Sequence, residues 1–505
     1  MPYLIGIDIG TSSAKAVLID ESGEVKSTVA PEYDFSTPKP LWAESDPDDW
    51  WQATIQAIKH LLEEQNIDPA DIAGLGLTGQ MHGLVLLDKQ GKVLRPCIMW
   101  NDQRSASQCD SITKKIGSAK VLELTGNPVL AGFTAPKIAW LKKHEPKNYK
   151  RLATVLLPHD YLNFWLTGNA VMEYGDASGT ALLDVKNRKW SAAAIKAVDP
   201  ALADKLPPLI SSDQPVGHLS VATAKSLGLS TDTLVSAGGG DNMMGAIGTG
   251  NTRPGIVTAS FGTSGTIYAC AAKPVIDPQG EIAAFCDSTN HWLPLLCTMN
   301  VTVATEMVRS HYGLSHAQFE KAAAKIRAGS DGLILLPYLE GERTPNVPDG
   351  TGVWFGANTK TQSTGHFARA AMEGVTLGMN YGLLRLAALG VKPKQIRATG
   401  GGAQSKLWRQ IMADIFNTEV VTLAVSEGAA YGAALQAMWC AAQNSGEKVQ
   451  INDLSDQFVK LNSRQTAQPK KENVAVYRQL QAIQGELSTG LRAAFSCHRR
   501  FSDCE

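Results

Sequence analysis

Three glycines run directly into an acid at Gly238-Gly239-Gly240-Asp241, with Asn242 next. Glycines let a ligand approach the backbone closely, because no Cβ stands in the way. The run Thr233-Leu234-Val235-Ser236-Ala237 before them reads as a strand. The spacing therefore presents the Asp241 carboxylate at a strand end, where ligands sit in open α/β sheets. An ionised carboxylate there can take the proton of an alcohol attacking phosphorus. Read alone, the same acid is also a turn residue capping the next helix.

A second acid, Asp8, ends an apolar run just before Gly10-Thr11-Ser12-Ser13. Such a turn offers successive backbone N–H groups and neutral hydroxyls to an anion. A carboxylate so near bound phosphates calls for a cation, and Mg²⁺ keeping several waters is the expected one. Lys15 reads either as a phosphate contact or as a solvated strand lysine. Gln80-Met81-His82-Gly83 follows the strand-like Ile72-Ala73-Gly74-Leu75-Gly76-Leu77 and sets a polar ring beside a flexible apolar side chain. Trp100-Asn101-Asp102-Gln103-Arg104 joins an aromatic face to hydrogen-bonding groups. Both combinations suit a small polyol, and both also occur as structural loop ends. Gly400-Gly401-Gly402-Ala403 enters a helical stripe over 405–416 and can lie against a nucleoside or point N–H groups at an anion.

An internal echo positions these groups. Apolar runs flank Gly10-Thr11-Ser12-Ser13 as a hairpin, and Gly255–Phe261 and Gly265–Ala269 flank Gly262-Thr263-Ser264 in the same way, half a chain later. The recurrence points to a duplicated domain with a cleft between the copies, where two tips hold a triphosphate from both sides. No GxxxxGK[ST] is present, which excludes a P-loop. Ser45-Asp46-Pro47 reads as a capped helix start. Strands alternating with helices make the class α/β.

The length of 505 residues exceeds one ordinary core. With 47 basic and 48 acidic side chains, composition makes no case for a nucleic-acid or anionic-membrane partner. No apolar run is long enough to span a bilayer, and the N-terminus lacks the basic leader of a signal peptide. Cys97, Cys109, Cys270, Cys286, Cys297, Cys440, Cys497 and Cys504 never form CxxC and read as free thiols in a reducing cytoplasm. The polar end, Ser496 to Glu505, is expected to be poorly ordered.

Together these residues resemble the FGGY family of carbohydrate kinases, within the actin, hexokinase and Hsp70-like ATPase superfamily, from Gly6 to about Ala437. The stretch from Gly132-Phe133-Thr134-Ala135-Pro136-Lys137 to His144 looks like the family's first signature, and also reads as a capped amphipathic helix. Gly352–Ala357 followed by His366–Glu373 approaches the second signature, with Ala357 where relatives usually carry a larger aliphatic. The resemblance implies two actin-like (ribonuclease H-like) domains, a sugar-binding one over 1–247 and a nucleotide-binding one over 248–495, with a tail over 496–505 and ATP in the cleft. By position it implies Asp241 as catalytic base and Asp8 with Asp241 at the magnesium. Thr11, Ser12, Ser13 and Thr263 match the phosphate contacts, with Lys15 and Gly262 beside them on the two tips, and Gly401 and Gly402 match the nucleoside contact. Met81, His82, Trp100, Asn101, Asp241 and Asn242 fall around the sugar.

Within the family, Gln80-Met81-His82-Gly83 looks like the version that takes D-xylulose, whereas glycerol kinases carry an Arg-Glu pair there. Trp100-Asn101-Asp102 and Leu41-Trp42-Ala43-Glu44 look the same way. Met299–Thr305 departs from the Gly/Ala/Ser-rich stretch of relatives, which bears on the purine contacts. The implied reaction is ATP- and Mg²⁺-dependent phosphorylation of D-xylulose to D-xylulose 5-phosphate, in the cytoplasm. The alternatives are a family kinase for another polyol such as ribulose, and a non-catalytic actin- or Hsp70-like nucleotide switch. A switch does not need Asp241 facing a polyol pocket. Dimers are common among such kinases, and the sequence marks no interface.

Overall fold

Residues Leu4 to Ile7 are buried without a break, as in a strand covered on both faces. Their strand, Tyr3–Ile9, pairs antiparallel with Ala14–Ile19, and that strand pairs antiparallel with Val25–Val29. On its other side Tyr3–Ile9 runs parallel to Ile72–Gly79, which runs parallel to Leu234–Ser236. Pro215–His218 completes the order, antiparallel to Leu234–Ser236. The connection to Ile72–Gly79 is the long crossover that parallel strands require, carried by the helix Pro47–Gln65. Asp46 caps that helix by accepting from the Asp48 N–H, Pro47 occupies its first turn, and Trp50, Ile58 and Leu61 bury its inner face.

The same order recurs later in the chain. Ile256–Phe261 pairs antiparallel with Gly265–Ala269, whose other neighbour is the 295–298 part of the strand Trp292–Thr298. Ile256–Phe261 then runs parallel to Gln395–Thr399, and that strand to Glu419–Leu423, with Leu461–Ala467 antiparallel beyond. Six strands repeat in order and direction, which is the duplication the two hairpins point to.

This computed structural model describes residues 2–425 and 428–502. They form two units, one of residues 2–253, 270–294 and 428–459, the other of 254–269, 295–425 and 460–502. A single division after residue 247 therefore does not describe the packing, because two later segments return to the first unit. The physical reason lies in the helix Gly428–Asn444, which packs on Tyr3–Ile9, Ile72–Gly79 and the helix Asp241–Gly248. A Cβ on Gly6 would overlap the Ala430 carbonyl oxygen, and one on Gly76 that of Ala433. A Cβ on Gly432 would overlap Met244 O, and one on Gly248 would overlap Gly428 O. Helix and strand backbones thus touch, and only glycine allows it.

The chain end also departs from expectation. Residues 496–502 are not a loose tail but belong to the helix Arg492–Ser502, while 503–505 lie outside the described residues. Phe495 anchors it, buried edge-on to Tyr338 at 6.4 Å, and Ser496 Oγ donates to Asp349 Oδ2 at 2.7 Å. Phe495→Ala should therefore expose the last helix to protease while the melting of the rest holds. Digestion no faster than in the parent would place the anchor elsewhere. Among the described residues no helix is long and apolar enough to cross a membrane, and all seven cysteines are free.

Candidate active site

The parallel strands of the first unit end at one edge, where Asp8 and the glycine run before Asp241 lie on either side of Ile72–Gly79. Asp8 pairs with Thr78, and Gly239 pairs with the same Thr78 from the other side. Lys15 stands across from Asp8 in the antiparallel register, so the two share a face. Asp241 is the first residue of the helix Asp241–Gly248, with Gly240 in the cap position, so it is not the helix cap. Its Oδ1 accepts from the Asn242 N–H and from Asn242 Nδ2, each at 2.7 Å. Burial, and then the charge of Asp8, push the Asp241 carboxyl up to about 7, against the pull of those donors.

Two of the glycines before it leave no room for a side chain. Gly238 has φ +76°, and a Cβ there would stand 2.6 Å from Leu77 O. A Cβ on Gly240 would stand 2.7 Å from Met81 Cγ. The glycine run is also pinned from the far end of the chain. Gln436 Oε1 accepts from the Gly238 N–H (2.8 Å) and Ser236 Oγ (2.9 Å), while its Nε2 donates to Gly238 O (3.0 Å). Nothing in the sequence marks this neutral residue except its place one turn after Gly432. Beneath the run, His159 lies between Asp160 (3.0 Å) and Asp176 (2.8 Å). Burial opposes charge on this ring, but the two carboxylates outweigh it and raise its pKa well above the ordinary value.

Met81 is buried, with its Sδ 3.9 Å from Asn242 Nδ2. His82 adopts φ +69°, and its Nδ1 lies 2.8 Å from Gly179 O. A carbonyl can only accept, so Nδ1 carries the hydrogen, and a neutral ring keeps Nε2 as an acceptor. The ring lies against Phe133 at 4.5 Å and Phe285 at 6.0 Å. Gln80 ties this segment to the first hairpin tip, its N–H donating to Ile9 O (2.8 Å) and its Nε2 to Gly10 O (3.2 Å). Tyr33 braces the tip, its hydroxyl donating to Gly10 O (2.7 Å). On that tip Ser12 is exposed and Ser13 half-buried, and the Ser13 carbonyl accepts from the Gly10 N–H at 2.9 Å.

Trp100 is 43% exposed, and its Nε1 donates to Thr11 Oγ1 at 3.4 Å, which brings the aromatic to the tip. The buried oxygens Gln80 Oε1 and Asn101 Oδ1 accept no hydrogen bond among the described residues. The two segments 41–44 and 100–104 prove to be one structure. Asp102 Oδ2 accepts from the Ala43 N–H (2.6 Å), Arg104 pairs with Asp102 (2.7 Å) and Glu44 (2.6 Å), and its guanidinium covers the Trp42 ring at 3.7 Å. Phe285, Tyr33 and Gln436 were beyond sequence reasoning.

In the second unit, the Gly262-Thr263 turn leaves Thr263 and Ser264 exposed. Its carbonyls accept from the segment singled out as unusual: Thr263 O from the Val301 N–H (3.0 Å) and Gly262 O from the Thr302 N–H (2.9 Å). Of the glycines after Gln395–Thr399, Gly400 has φ +82° and presses on the Phe261 backbone. Gly402 is buried against Phe261 and Trp408. Gly401 is exposed, and a Cβ there would meet nothing within 4 Å.

One other cluster, Cys270, Asp287 and His291, brings three ligand-type atoms within 4.8 Å of one another in the first unit. Asp287 already accepts from the Thr289 and His291 N–H groups, and burial raises the thiol pKa. It reads as a closed turn.

The family model described as "FGGY family of carbohydrate kinases, N-terminal domain" matches residues 3–248, and its C-terminal counterpart matches residues 257–441. A xylulose kinase of Haemophilus influenzae is 37% identical, covering 94% of this chain and 97% of that protein. The solved structure of ligand-bound xylulose kinase from Lactobacillus acidophilus superposes with a TM-score of 0.92 at 26% identity, covering 99% of this chain and all of that one. A gluconate kinase from the same organism reaches a TM-score of 0.91 at 26% identity, covering 98% and 99%.

Proposed function

Because the chain belongs to the FGGY family of carbohydrate kinases, we propose that it transfers the γ-phosphoryl group of ATP to the C5 hydroxyl of D-xylulose, giving D-xylulose 5-phosphate and ADP. The observation that carries this is Asp241, held at the strand edge by a pinned glycine run, with its neighbour Asn242 against Met81 and His82 one residue further on. As a carboxylate, Asp241 can accept the proton of an alcohol attacking phosphorus.

In this reading Asp241 accepts the C5 hydroxyl proton as the oxygen–phosphorus bond forms and the bond to the bridging oxygen of ADP breaks. His82 and Asn242 orient the sugar hydroxyls, and Trp100 with the buried Asn101 Oδ1 offers an apolar face and an acceptor. Thr11, Ser12, Ser13 and Lys15 are the donors proposed for the phosphates, as are Gly262 and Thr263. Gly401, with nothing above it, approaches the nucleoside, while the buried Gly402 supports the turn. The Asp8–Asp241 pair fits Mg²⁺, since the Asp8 charge raises the proton affinity of Asp241, and a divalent cation between two such carboxylates relieves that repulsion. That ion, when bound, would neutralise charge on the phosphates. The transition state is loose, so most of the acceleration comes from positioning and electrostatics. A cytoplasmic setting agrees with free thiols and with substrates made inside cells.

The xylulose kinase likeness and the Met81-His82 pocket favour D-xylulose over gluconate. The product tests it: ³¹P NMR of a reaction with MgATP and D-xylulose should show one new phosphomonoester on C5. A phosphate on C1, or inorganic phosphate alone, would contradict the reading.

A further inference from the structure

The signature segment has no part in the reaction above, yet two of its side chains converge on one atom of the sugar pocket. Thr134 Oγ1 donates to the His82 carbonyl at 3.2 Å, and Lys137 Nζ donates to the same oxygen at 2.9 Å. They lie three apart on the helix Thr134–His144, hence on one face. Lys137 is wholly buried, an unusual fate for a lysine. Burial lowers its pKa to about 7, with the Cys97, Asp102, Arg104 and Cys109 groups around it. Asp102 is bound to Arg104, and among the described residues Lys137 forms no ion pair. Its amine is thus committed to one backbone carbonyl.

That carbonyl belongs to a residue whose backbone needs holding. His82 has φ +69°, a region in which a side chain is strained unless its surroundings impose it. The same residue places its ring between Gly179 O and the Phe133 face, and Phe133 directly precedes Thr134. We propose that Thr134 and Lys137 are positioning residues for sugar binding: by clamping the His82 carbonyl they fix the left-handed turn that aims the imidazole at the sugar. This rests on the sugar-pocket reading above.

The test compares the parent with the double variant Thr134→Val and Lys137→Met, which keeps volume and removes both donors, and with Thr134→Ser, which keeps both. The double variant should raise KM for D-xylulose at least about tenfold, with kcat and the KM for ATP within about threefold, and Thr134→Ser should match the parent. An unchanged KM for D-xylulose overturns the clamp. So does a loss falling equally on kcat, both KM values and melting temperature, which marks a helix that is merely structural. If the parent does not phosphorylate D-xylulose, the pocket reading fails, and the clamp is read from the His82 imidazole signals by NMR. Those signals move in the double variant if the clamp sets the ring, and stay put if it does not.

Discussion

Asp241→Asn should lower kcat with D-xylulose by at least about 100-fold, while ATP binding survives. The substitution is nearly isosteric, and an amide oxygen can still accept from the Asn242 N–H, so the start of the helix Asp241–Gly248 is kept. What is lost is the ability to take a proton. General-base help is worth about 10² to 10⁴-fold, and Asp241 is the acid next to Asn242 and Met81, which are proposed here for the polyol. Asp241→Ala should lose as much. The contacts proposed for the phosphates and the nucleoside fall on other residues, and Asp8 remains for the magnesium, so MgATP binding by calorimetry should remain measurable. Nearly normal turnover in either variant would remove Asp241 from the mechanism.

The second large effect concerns the fold under the site. Gly6→Ala should cost upwards of about 4 kcal/mol or leave no folded protein. The added Cβ would overlap Ala430 O and approach Ala434 N, which are backbone atoms of a helix and cannot swing aside. To admit it the helix Gly428–Asn444 must lift from Tyr3–Ile9. That helix also makes close glycine contacts at Gly76 and Gly248 and carries Gln436, which pins Gly238. Gly485→Ala is the control. It lies in the helix Lys471–Gly490, its Cβ meets nothing within 4 Å, and it should stabilise by about 1 kcal/mol. Denaturant unfolding of both variants checks this. Equal stability of Gly6→Ala and the parent would mean that the close approach of helix and strand is not needed.

These contacts also mark where sequence reasoning ended. The two hairpins were legible because apolar runs around a Gly-Thr-Ser turn are a local pattern, and their recurrence reported the duplication. Asp8, Asp241 and the Gln80–Gly83 segment were legible for a similar reason: strand ends beside glycines place acids and rings where ligands bind. The return of 428–459 to the first unit was not legible as a domain boundary. Its trace was small residues one turn apart, Gly428 and Gly432, which a helix uses to approach another backbone but which name no partner. The ordered end was hidden because one buried ring, Phe495, anchors an otherwise polar helix. Lys137 was hidden by its type, since a lysine on an amphipathic helix reads as exposed, and only tertiary structure shows its amine inside, on the His82 carbonyl.

The central claim is tested most directly by initial rates of ADP release with MgATP across D-xylulose, D-ribulose, L-xylulose, glycerol and gluconate. The account predicts the highest kcat/KM for D-xylulose, by a wide margin. A different sugar in first place would contradict the assignment of the Met81-His82 pocket, and no stimulation above the basal ATPase by any of them would contradict the kinase itself.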